Sequence, residues 1–161
     1  LEELAGIIGR SSGTTLEQVL RAFFHATNYL KINVSQSASV DLLLDALETA
    51  LLDASALVRM AAVWPLAWIR HERAASILLR AFRIESNAEV QAHIVRVSTG
   101  LMSEAGDAIL QEGLTSSLEA VRSAAQQVIT DRERAGQVLR YDENAYQGIA
   151  MNRQMLRGRT T

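Results

Sequence analysis

The chain of 161 residues contains no cysteine. That excludes a disulfide framework and any thiolate metal site, and it removes the usual sign of an oxidising compartment. Proline occurs once, at Pro65. An excess of charge of one sign is missing too. Sixteen Lys and Arg against eighteen Asp and Glu leave a formal net charge of −2, which argues against wholesale binding of phosphate backbones, where affinity grows with each neutralised phosphate. Lys31 is the only lysine among the sixteen bases; this arginine usage matches the codon bias of GC-rich bacteria and carries no functional weight. No apolar run approaches the roughly 18 residues needed to span a bilayer, and LEELAGIIGR lacks the basic region and long apolar stretch of a secretory signal. A reduced, cytoplasmic setting in a bacterium is expected. The chain opens on Leu1 and not Met, which leaves open whether further repeats precede it.

A mass of 17.6 kDa is that of one domain, and such a chain buries roughly two thirds of its unfolded surface. The main positive signal is internal repetition. Shifting the sequence on itself by 31 or 32 residues places Val58 on Val90 and then Val121, Ile77 on Ile109, and Phe82 on Leu114. Periods of this length mark solenoids, in which each unit is a supersecondary element unable to bury its apolar face alone.

Each unit reads as two helices. The first members are 40–52, 74–82 and 106–114, rich in Leu and Ala at helical spacing. The second members, SALVRMAAVWPLAWI, NAEVQAHIVRVSTGL and SSLEAVRSAAQQVI, follow Ser55, Asn87 and Ser117, whose side-chain oxygens suit N-caps. Upstream, TTLEQVLRAFFHATNYLKI is a further helix, with Thr15 and Gln18 spaced as a capping box after the loop GRSSGTT. With EELAGII it makes a fourth, less regular pair over 1–38. INVSQSAS, residues 32–39, is expected to be a surface loop and a hinge or proteolytic site. The regular repeats fill 39–130, and 131–161 hold a short helix and a flexible tail with Arg153, Arg157 and Arg159. That tail is read either as a disordered terminus or as a segment that orders on a partner.

Asp53 and Arg59 stand six residues apart around the turn of the first regular unit, with Val58 beside Arg59. The same positions hold Glu85 and Gln91 in the next unit and Ser116 and Arg122 in the third. In this pattern residues 39–130 resemble the HEAT-like repeat family, the short-repeat branch that includes phycobilin lyase subunits. The resemblance implies an all-α, right-handed α-solenoid of three to four helix pairs. It also implies a ladder of Asp and Arg side chains between neighbouring repeats, which this sequence keeps only in part.

On a helical wheel Val58, Ala61, Ala62, Pro65, Leu66 and Ile69 share one face, as do Val90, His93, Ile94, Val97 and Leu101. These faces form the core. The opposite side carries Met60, Trp64, Trp68 and His71, and the position of Trp64 becomes Arg96 and then Gln127 in the later units. A helix with no polar face must be covered. Trp64 and Trp68 either pack on the irregular N-terminal pair or anchor a partner. The row of Met60, Trp64, Trp68, Arg96 and Gln127 is the candidate partner-binding surface. Pro65 falls in a helix interior, where a kink over 61–65 is expected.

Chemistry-bearing patterns are few. His25, His71 and His93 lack metal-ligand spacing, and His93 reads as a satisfied structural histidine. Asp41, Asp45 and Glu48 share a helical face, as solvated residues do. Gly6, Gly9 and Gly13 do not form a phosphate loop, no strand is expected, and no nucleophile elbow occurs. No catalysis, metal or cofactor is expected of the chain. The leading expectation is a non-catalytic helical-repeat adaptor or scaffold holding a protein partner, with no nucleic acid and no membrane span, as part of a larger assembly. The alternative is a chromophore-lyase-like or chaperone-like subunit.

Overall fold

The structure, a computed structural model, describes residues 1–30, 32–98, 101 and 103–135. Among them every regular element is helical: α1 (Glu2–Arg10), α2 (Gly13–Leu30), α3 (Val40–Ala50), α4 (Ala56–Trp68), α5 (Glu72–Ile84), α6 (Ala88–Val97) and α7 (Glu104–Leu114). A further helical stretch runs over 119–135 without a break at 130. The all-α class expected from periodicity is thus the class observed. The tail expected over 141–161 lies outside the described residues.

The helix starts follow local chemistry, which differs in part from the expected caps. Asn87 caps α6 as expected, its Oδ1 accepting from Glu89 N at 2.9 Å and Val90 N at 3.2 Å. Ser55 makes no side-chain cap bond. Its own N–H instead donates to Asp53 Oδ1 at 2.8 Å, and Arg59 Nη1 takes the carbonyls of Asp53 and Ala54 at 2.8 and 3.1 Å. Ser117 is not a cap either, because helical bonding begins one residue later, with Leu118 O accepting from Val121 and Arg122. The Thr15–Gln18 capping box fails because the chain turns into α2 earlier, at Gly13, whose φ of 52° suits glycine. His71 and Ser103 supply caps where none was expected: His71 Nδ1 accepts from Arg73 N and Ser103 Oγ from Gly106 N, each at 3.2 Å. Helix α4 continues through Pro65 to Trp68, and Ile69 N closes it by donating to Pro65 O at 2.9 Å. Helix α6 ends at Val97, short of the expected Leu101, with the buried Ser98 hydroxyl donating to Val95 O at 2.7 Å.

Packing divides the chain into two units, Leu1–Gln126 and Gln127–Thr161; of the second, residues 127–135 are described, and they are helical. Within the first unit the helices fall into two rows. Helices α1, α3, α5 and α7 pack in succession, α2, α4 and α6 do the same, and between the rows α1 packs on α2, α3 on α4, α4 on α5, α5 on α6 and α6 on α7. The apolar stripes meet between the rows, where Leu43, Leu44, Leu47, Val58, Ala62, Leu66, Leu78 and Val95 are completely buried. Every residue on the expected core face of α4 is buried, which places Trp64 and Trp68 on the other side of that helix.

Ion pairs tie neighbouring helices both between the rows and within the odd-numbered one. Arg59 reaches across to Glu85, with Nε to Oε2 at 2.7 Å and Nη2 to Oε1 at 3.0 Å. On the odd-numbered row Arg73 pairs with Asp41 at 2.9 Å and with Asp45, Arg80 with Glu48 at 2.6 Å, and Arg83 with Glu112 at 2.5 Å. Asp41, Asp45 and Glu48 are therefore bridged acids of an exposed face, and not merely solvated ones.

Candidate functional site: an aromatic and cationic face on the even-numbered row

The face of α4 that turns away from the core carries Met60, Trp64 and Trp68, spaced by one helical turn each. Met60 is half-buried, whereas Trp64 keeps 43% and Trp68 36% of its surface exposed. Both indoles lie against Phe24 of α2. Phe24 stacks obliquely on Trp64, with ring centroids 5.3 Å apart and an angle of 31°, and meets Trp68 edge-on at 6.3 Å and 87°. Such geometries are favoured by the ring quadrupoles. Of the two fates open to the tryptophans, packing on the N-terminal helix pair is observed, and each indole keeps part of its surface exposed.

On the other flank, His93 of α6 meets Trp64 edge-on, with centroids 5.2 Å apart and an angle of 76°. The satisfied histidine expected from the wheel is not observed, since its Nε2 is buried with no hydrogen-bond partner. Burial, and then the charges of Arg96 and Arg21, push its pKa below the ordinary 6.5. The imidazole is accordingly a neutral, aromatic wall of the surface. Arg21 of α2 is held by Glu17 at 2.8 Å, and Arg96 is exposed on α6.

Of the expected row, the structure brings Trp64 and Trp68 together through Phe24 and sets Arg96 beside the His93 wall. Gln127 stands in the second unit, exposed, and its amide donates to Asp131 Oδ1 at 2.9 Å within the same helix. Sequence reasoning missed Phe24, Arg21 and His93 as parts of this face. It also missed Arg70. Ile69 ends α4 in an extended conformation and His71 opens α5 in another, so Arg70 sits at a tight corner, exposed between the buried Ile69 and the capping His71.

Two hollows flank this corner. One, of about 260 Å³, is lined by Ile32, Asn33, Val34, Trp68 and Arg70. The other, of about 430 Å³, is lined by Ala67, Arg70, His71, Glu72, Ala75, Leu101 and Ser103. Among the described residues no group of three or more His, Asp or Glu is placed to hold a metal ion, and no helix is long and apolar enough to cross a membrane. Fold and surface together define an all-helical protein with two rows of helices and an aromatic, arginine-flanked face on one of them. The chain matches no protein-family model and no curated protein significantly.

Proposed function

We propose that the chain is a non-catalytic adaptor built as a right-handed, HEAT-like α-solenoid, which holds a protein partner in the cytoplasm against the exposed side of α4 and α6. The alternation of helices between two rows supports the solenoid reading, as do the equivalent turns in which Arg59 Nη1 takes Asp53 O at 2.8 Å and Arg122 Nη1 takes Ser116 O at 2.6 Å. In both, an arginine closes the turn six residues before it.

The observation that carries the function is the exposure of Trp64 and Trp68. Two tryptophans packed on Phe24 lose little conformational freedom when a partner covers them, and tryptophan and arginine anchors commonly dominate interface energies. Met60, Trp64, Trp68 and Arg96 form the proposed docking face, and Gln127 is the equivalent position in the following unit. A photo-crosslinking residue placed at Met60 or Arg96 is expected to capture one protein species in the host cell, while the same residue at Arg80, on the odd-numbered row, captures none. Equal capture from both faces, or none from either, removes the proposal.

A further inference from the structure

The two hollows beside Arg70 have apolar floors: Ile32, Val34 and Trp68 in one, Ala67, Ala75 and Leu101 in the other. Arg70 lines both. Its guanidinium differs from those of Arg21, Arg59, Arg73, Arg80 and Arg83, each of which is paired with a carboxylate. Among the described residues Arg70 meets no carboxylate and makes no side-chain hydrogen bond. Glu72 lines the larger hollow without reaching it. A charged group at an exposed corner that lines two depressions with apolar walls suits a carboxylate with an apolar side chain on either side of it. A guanidinium binds a carboxylate through two parallel hydrogen bonds, and its planar fork fixes the direction of approach.

We infer that the Arg70 corner is a docking site for a short partner segment in which an Asp or Glu lies between two apolar residues, the carboxylate on Arg70 and one apolar side chain in each hollow. This rests on the reading of the chain as a docking platform, and it extends that platform from Trp68 around the C-terminal end of α4. The chain's own terminal segment is not such an occupant by charge. Residues 140–161 carry Arg140, Arg153, Arg157 and Arg159 against Asp142 and Glu143.

The test is calorimetric titration of the full chain with short capped peptides bearing Leu-Glu-Phe, Leu-Gln-Phe or Leu-Lys-Phe at their centre. The Glu peptide is expected to bind at least about tenfold more tightly than the Gln peptide, because a charge-assisted bond is lost, with the Lys peptide weaker still. R70Q is expected to abolish the difference between Glu and Gln peptides. R10Q, at an exposed arginine of α1, keeps it. Equal binding of Glu and Gln peptides to the native chain, discrimination that survives in R70Q, or no binding of any peptide overturns the assignment. Self-association in sedimentation that R70Q abolishes gives the corner to a second copy and overturns it as well. Selective crosslinking at Met60 and Arg96 with no peptide binding removes this inference alone and leaves the docking platform standing.

Discussion

Arg59 and Glu85 are 26 residues apart in sequence and joined by two parallel hydrogen bonds of 2.7 and 3.0 Å. Their side chains are only 16% and 7% exposed, so water screens the pair weakly. The same guanidinium closes the turn at Asp53 and Ala54, and the same carboxylate accepts from Asn87 N at 2.8 Å, just where α6 begins. One residue pair therefore fixes the two successive turns that aim α4 and α6.

Removing one partner leaves the other desolvated and unpaired. R59A is expected to lower stability by about 2 to 3 kcal/mol in urea denaturation. R59K keeps the charge and loses the fork, and is expected to recover less than half of that. A double substitution, R59M with E85L, is expected to cost less than R59A, since no buried charge is stranded.

Acid is expected to weaken the fold in two steps. Burial raises the Glu85 pKa, but hydrogen bonds from Arg59 and from Asn87 N, together with the Arg59 charge, outweigh it and hold the group below its ordinary 4.5. The unfolded chain then binds the proton more readily, so this stabilisation is present above pH 4.5 and is lost as pH falls through the folded value. For His93 the folded pKa also lies below the unfolded one of 6.5, and stability again falls with acid, beginning below pH 6.5. Urea midpoints measured from about pH 7.5 to pH 5 are expected to decline in the native chain and to stay nearly flat in H93Q. A flat native profile over that range contradicts the buried, neutral imidazole.

Three glycines separate backbone entropy from close packing. A Cβ at Gly106 would stand 2.3 Å from Leu101 O and 2.9 Å from Leu101 Cβ, so G106A is expected to cost about 2 kcal/mol or more. Gly9 lies inside α1 with nothing within 4 Å of an added Cβ, and G9A is expected to stabilise by roughly 0.5 to 1 kcal/mol through reduced freedom of the unfolded chain. Gly113 stands between them, with Ala125 and Val95 at 3.2 and 3.3 Å. Thermal melts of the three alanine variants are expected to rank in that order.

The exposed arginines of the odd-numbered row are expected to matter less than Arg59. Arg73 bridges Asp41 and Asp45, which are 68% and 60% exposed, and such pairs are worth no more than about 1 kcal/mol when solvated. R73A is expected to shift the urea midpoint slightly in low salt and not at all in high salt. R59A is expected to keep its effect in both.

The repeat spacing made the main-chain plan legible. Val58, Val90 and Val121 recur at one register, and all are buried, because a core position is fixed by helical period alone. Asn87 was legible as a cap for the same local reason. Ser55 was not, because Asp53 and Arg59 compete for the same turn and satisfy it first. The ladder on the odd-numbered row left a trace that the pattern of apolar residues did not reveal: Asp41 and Arg73 lie 32 residues apart, as do Glu48 and Arg80, the spacing of the repeat itself. Phe24 against Trp64 has no such trace, since α2 stands outside the regular register and its contact with α4 is decided by tertiary packing. Arg70 was hidden because a corner between two helices has no period.

Trp64 and Trp68 are the chain's only indoles, and both adjoin Phe24. All of the protein's tryptophan emission therefore originates from a single patch where α2 meets α4. An optical melt followed at those wavelengths tracks the parting of α2, α4 and α6, which meet at these rings, and does not sense what loosens away from them. Far-ultraviolet dichroism weighs all helices alike, so a gap between the two melting curves is a direct measure of how far the array comes apart piece by piece.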